Sequence, residues 1–160
     1  MGFLRYATVA RNLARQASVV VNKPIDQAYP INNLISLPAV RPCRILATDE
    51  VKVHVSFPGP TALDLLALVN HNLSPSAQVT VRAGTVWDPS GAQYERQMGW
   101  AERTMYGLFD VTSAQYWTVV ISDVANEYGF IDIGYLVVAR SEAVSFGFEW
   151  DWLRGKQYAN

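Results

Sequence analysis

Hydrophobic residues recur at every second position through much of this chain. Val51, Val53, Val55 and Phe57 alternate with Lys52, His54 and Ser56, the period of a strand with one face buried. Val79 and Val81 continue the pattern in "AQVTVRAGTVW", as do Trp117, Val119 and Ile121, then Ile131, Ile133, Tyr135 and Val137. Phe146, Phe148, Trp150 and Trp152 alternate with Gly147, Glu149 and Asp151 near the end. "TALDLLALVNHNL" fits a helical face through Leu63, Leu66, Ala67 and Asn70, and equally a strand buried on both sides; its neighbours favour the strand. Between these runs lie "FPGP", which should stop the first strand, and "DPSG" at Asp88 to Gly91, a turn with Pro second. Several short strands and no long amphipathic helix predict an all-β fold, an antiparallel β-sandwich or jelly roll.

The first 38 residues read differently. Arg5, Arg11, Arg15 and Lys23 precede the first acid, Asp26, and Pro24, Pro30 and Pro38 each remove a backbone donor and bias the preceding residue toward extended geometry. The expectation is an extended basic N-terminal arm over residues 1–38 and a β-sandwich domain over 39–160. The arm's arginines, Arg5, Arg11 and Arg15, are its candidate partner contacts.

Composition narrows the function more than it defines it. Thirteen Lys and Arg stand against 14 Asp and Glu, which gives no bias toward nucleic acid or anionic membranes. Half the residues are apolar, enough for a core at this length. Cys43 is the single cysteine, so no internal disulfide or thiolate zinc site is expected, as suits a protein made in a reducing compartment. No apolar run approaches the roughly 20 residues of a membrane-spanning helix, and the first residues read as neither signal nor anchor.

Chemistry-bearing constellations are sparse. His54 reads as a strand residue on a polar face and His71 as a loop residue bonding locally; no HExxH or close His pair implies a metal. No serine lies in GxSxG, the glycines form no phosphate loop, and Glu149 and Asp151 look like a solvent face. No enzyme, metal or cofactor is predicted. Exposed aromatics beside polar groups suit stacking on a sugar or a partner, and "WDPSGAQYERQMGWAERTMY", the least regular part of the body, supplies Trp87, Tyr94, Arg96 and Trp100 as candidates. The plainer reading is that these rings cover the sandwich edge or another subunit. In "SDVANEYG", Asp123 and Asn126 favour turns and Gly129 a positive φ, so this reads as the connection between adjacent antiparallel strands, with Gly134 permitting a close approach.

"LDLLALVNHNLSPSAQVTVRAG" followed by "AQYWTVVISDVANEYGFIDIGYLVVA" resembles the galactose-binding-like, discoidin-type jelly rolls of tailed-bacteriophage structural proteins. The match spans residues 39 to 152: an Asn-Leu corner at Asn72 and Leu73, the D-x-x-N-x-x-G turn from Asp123, and an I-x-I-G-x-L strand from Ile131. It implies a virion structural protein, tail-tip, baseplate or otherwise tail-associated, assembled in the host cytoplasm and contacting other virion proteins and copies of itself. The alternative is a carbohydrate-binding module for host-surface glycans. In the wider superfamily, ligand sites lie in loops at one end of the sandwich, and no such residue maps onto this sequence.

Overall fold

A computed structural model of the chain describes residues 3–6, 12–88 and 93–145. Nine strands form among them: β1 (Phe3–Tyr6), β2 (Ser18–Val21), β3 (Cys43–Ile45), β4 (Val51–His71), β5 (Gln78–Gly84), β6 (Tyr94–Met98), β7 (Thr104–Ser122), β8 (Ile131–Ala139) and β9 (Glu142–Ser145). Two short 3-10 turns, Leu13–Gln16 and Ile31–Ile35, are the described helical segments. All strand pairings are antiparallel, in the order β3-β8-β4-β7-β5-β6 with β2 on the edge of β4, while β1 pairs with β9. No described helix is long and apolar enough to cross a membrane.

The sandwich is made by two strands that bend. The first part of β4 pairs with β2 and the last part of β7, whereas its second part pairs with β8 and the first part of β7. Each of these two strands thus belongs to both layers. Val53, Val55, Val81, Trp117 and Val119 from one layer meet Leu66, Leu68, Met105, Phe109 and Leu136 from the other in a common core. "FPGP" does not end a strand, contrary to the sequence reading. Pro58 and Pro60 fall where the β4–β7 register shifts between Ser56 and Thr61, and there a missing amide donor leaves no ladder bond unmade.

Residues 12–38 belong to the body. β2 pairs with β4 from Ser18↔Ser56 to Val21↔Val53, Ile25 bridges Ile45, and Ala14 and Leu34 are fully buried. Asn12 docks on β8: its Nδ2 donates to the Leu136 carbonyl at 2.7 Å and its Oδ1 accepts from the Val138 amide at 3.0 Å. Arg15 is turned back on its own chain, donating from Nε to the Ile35 carbonyl at 3.3 Å. The folded body therefore includes residues well before Ala39, because the apolar positions between the prolines outweigh their irregular backbone. Arg11, the turn after Asp88 and the aromatic alternation from Phe146 lie outside the described residues, and Arg5 is placed only as a position in β1.

Two more expectations change. β4 separates β8 from β7, so Asp123 to Phe130 crosses from one layer to the other and is not a hairpin turn. Strand β7 begins at Thr104, and β6 forms an edge beside β5, so part of the supposedly irregular stretch, Tyr94–Met98 and the residues from Thr104, is sheet.

Candidate functional site

Four stretches converge at one end of the sandwich: Arg44 in β3, the corner that follows β4 from Asn70, the approach to β7 around Trp100 to Arg103, and the crossover from Ala125 to Asp132. Between them lies a cleft of about 1010 Å³. Left-handed backbone helps to make it, since Asn70 and Arg103, side by side where β4 and β7 part, have φ of 54° and 65°.

A buried carboxylate ties the walls together. Asp123, 1% exposed, accepts the Ser74 amide at 2.8 Å, the Ser74 hydroxyl, and Nδ2 of Asn126 at 3.0 Å. Asn126 Oδ1 accepts the Tyr128 amide at 3.0 Å, and the turn closes through the Gly129 amide on the Asn126 carbonyl, with Gly129 at φ 71°. Asn72 fixes the start of β8: its Nδ2 donates to the Phe130 carbonyl at 3.0 Å and its Oδ1 accepts the Asp132 amide at 2.8 Å. The D-x-x-N-x-x-G stretch is therefore a turn, as the sequence suggests, and it also builds one wall of a site.

Within this frame the polar groups are held in place. Arg44 grips Asp132 through two bonds of 2.9 Å, and its guanidinium lies 4.3 Å from the Tyr29 ring centroid and 3.9 Å from that of Phe130. This pairing raises the guanidinium pKa further, so Arg44 is a permanent cation. His71 is fixed at both nitrogens, with Nε2 3.1 Å from the Ala101 carbonyl and Nδ1 accepting the Leu73 amide at 3.2 Å. Those partners demand a neutral ring protonated on Nε2. Burial pushes its pKa down, against the opposing pull of the Ala101 bond and of Asp123.

Rings supply the apolar part. The Trp100 indole donates from Nε1 to the Leu73 carbonyl at 3.2 Å and stays 40% exposed; across the cleft Tyr128 is 58% exposed, its ring centroid 6.0 Å from that of Phe130. Glu102, Arg103 and Glu127 are exposed at the cleft, and among the described residues their side chains make no hydrogen bond or ion pair.

Of the four aromatic and basic candidates read from the sequence, Trp100 alone lines this cleft. Trp87 covers the outer face of the other layer, its ring centroid 4.7 Å from that of His54 and 5.9 Å from that of Tyr116. His54 is consequently buried, bonded to Thr118 Oγ1 at 3.0 Å, and not the exposed residue the alternation suggests. Tyr94 packs against Phe109 and Trp117, and Arg96 is exposed on edge strand β6. Sequence reasoning named Asn72 only as part of a fold motif and did not single out Arg44, Tyr128 or Phe130, whose convergence no local pattern announces. Cys43 is fully buried, its pKa pushed up to about 12 chiefly by burial. No group of three or more His, Cys, Asp or Glu that could hold a metal occurs among the described residues.

Neither a protein-family model nor a curated protein sequence matches the chain. Solved structures match its fold. A Ruminococcus gnavus GH29 fucosidase in complex with fucose aligns with a TM-score of 0.64 at 15% identity, over 83% of this chain and 27% of the fucosidase. The lectin domain of lectinolysin complexed with Lewis b antigen aligns at 0.63 and 12% identity, over 82% of this chain and 97% of that domain. A Streptococcus pneumoniae fucose-binding module gives 0.63 and 11%, over 81% and 94%. The chain thus spans about a quarter of the fucosidase and matches nearly all of the two binding modules. The shared architecture is the galactose-binding-like β-sandwich.

Proposed function

We propose that this chain is a carbohydrate-binding module whose glycan lies in the cleft between Trp100 and Tyr128. The observation that carries the reading is the combination there of two part-exposed rings with polar groups already locked by their own bonds. A sugar presents an apolar ring face and a rim of hydroxyls, so it needs a flat surface and fixed donors and acceptors. Arg44, Asn72 and His71 are immobilised before a ligand arrives, which reduces the ordering cost of binding. The named structures of the same fold support this: two are binding domains described with Lewis b antigen or as fucose-binding.

Binding fits the chemistry better than catalysis. The Asp132 carboxylate is committed to Arg44, and both nitrogens of His71 are occupied, so neither is set up as a proton-transfer group toward a ligand. A virion role has weaker support. It rested on the sequence resemblance and on a basic N-terminal arm, and residues 12–38 are packed into the body.

A glycan array probed with the purified chain, followed by calorimetric titration with L-fucose and with Lewis b antigen, tests the reading. The expected result is selective retention of a subset of glycans, lost in Trp100→Ala. Failure to retain any glycan, by a chain shown to be folded, would overturn it.

A further inference from the structure

On the far side of Trp100 lies a second, smaller hollow of about 340 Å³, and the two hollows share Pro75 and Trp100. We propose that this hollow is a second subsite, which takes the neutral sugar residue next to the one held in the cleft. The inference rests on the carbohydrate reading and adds to it a ligand of more than one sugar, running across Trp100.

Its chemistry is specific. None of the side chains lining it is charged, so the charge of an amino sugar or a uronic acid would find no partner there. At its centre are Gln78 and Gln97, which share one face of the β5–β6 pair because Thr80 stands opposite Gln97. Gln97 Nε2 donates to Gln78 Oε1, and Gln78 Nε2 donates to the Ser76 carbonyl at 3.3 Å. These bonds leave Gln97 Oε1 as a free acceptor and the second Gln78 amide proton as a free donor. Such an acceptor and donor side by side match two neighbouring hydroxyls, each of which can give or take a proton. Pro75 and the Trp100 ring provide the apolar surface. The main cleft also points to a ligand longer than one sugar, since about 1010 Å³ is at the upper end of the roughly 300–1,000 Å³ that encloses drug-sized molecules.

Calorimetric titration of the full chain with free L-fucose and with Lewis b antigen tests the proposal in three proteins: the parent, a Gln78→Ala/Gln97→Ala double variant, and Gly99→Leu. Both glutamines are exposed, and a Cβ on Gly99 meets nothing within 4 Å, so the variants keep the fold while stripping or filling the hollow. The expected result is Lewis b binding about tenfold tighter than fucose in the parent, as two neutral hydrogen bonds would give. In both variants that advantage should fall to about threefold or less with fucose binding unchanged. Equal affinity for the two probes, or an undiminished advantage in both variants, overturns the second subsite and leaves the cleft reading standing. Binding of neither probe by the parent overturns the second subsite, while the cleft reading falls only if the array retains no glycan.

Discussion

The backbone carbonyl of Ala39 occupies the place that a Cβ on Gly134 would need. A methyl group there would fall inside van der Waals contact with the Ala39 oxygen and 2.9 Å from Cβ of Asn70. Asn70 in turn donates from Nδ2 to that same carbonyl at 3.0 Å, so the segment before β3, the end of β4 and the middle of β8 meet at one point. Gly134→Ala should therefore lower stability by ~1–3 kcal/mol, and Gly134→Val by more. Urea unfolding measures this, and an unchanged midpoint for both variants would show that the approach is not tight.

Removing residues 1–38 should unfold the protein and not release a soluble β-domain. The deletion strips β2 from the edge of β4, empties the places of Ala14 and Leu34, and leaves the Leu136 carbonyl and Val138 amide without Asn12. Asn12→Ala alone should cost ~1–3 kcal/mol by leaving those two groups unsatisfied. Circular dichroism and denaturant titration check both; a folded, cooperative truncation product would restore the view of this segment as an arm.

Asp123 links stability to the site. Asp123→Ala leaves the part-buried Ser74 amide without its acceptor, at a cost of ~1–3 kcal/mol, while Asn126 Nδ2 keeps its bond to the Asn72 carbonyl at 3.2 Å. Because Ser74 and Asn126 belong to two different stretches that line the cleft, glycan affinity should fall even where the variant remains folded. Retention of full affinity by a folded Asp123→Ala protein would mean that the walls hold their positions independently.

Part of this was legible in the chain and part was not. β4, β5 and β8 announce themselves because Val53, Val81 and Ile133 face the core at period two. The first half of β7 escaped notice: Met105, Gly107 and Phe109 do alternate, but Gly107 supplies no hydrophobic side chain, its place in the packing being met by Met98, whose Cγ would lie 3.4 Å from a Cβ there. The prolines before residue 39 correctly signal irregular backbone and say nothing of the buried Leu34 between them. For the cleft, Trp100 stood out as an aromatic among charges. Arg44, Asn72 and Tyr128 come from stretches far apart, and only the crossing of β4 and β7 between layers brings them together.

Both histidines make stability depend on pH. Burial lowers the pKa of His71, and it lowers that of His54 too, where Asp88 pulls upward and Lys52 adds to the lowering. The unfolded chain, with imidazole pKa near ~6.5, then binds protons that the folded chain does not. Stability is fully present above about pH 6.5 and falls as pH drops from there through the folded pKa values. Urea midpoints should decline over that window, and NMR titration should place both imidazoles below the ordinary histidine value. An imidazole titrating above it would contradict the buried neutral ring.

The sharpest contrast is between two exposed tryptophans that the sequence treats alike. Trp100 is 40% exposed at the cleft and anchored by its Nε1 bond to the Leu73 carbonyl; Trp87 is 47% exposed but lies over His54, beside the Lys52–Asp88 ion pair of 2.7 Å. Trp100→Ala removes a stacking surface, which by analogy with bases on aromatic rings is worth ~1–3 kcal/mol, so glycan affinity should drop about tenfold to a hundredfold. Trp87→Ala should do the reverse, leaving glycan affinity intact while uncovering His54, whose pKa then rises toward the ordinary histidine value as water reaches the ring. Calorimetry on the glycan side and NMR titration on the histidine side read the two effects separately. Loss of glycan binding in Trp87→Ala with no change in Trp100→Ala would move the site from the cleft to the outer face of the other layer.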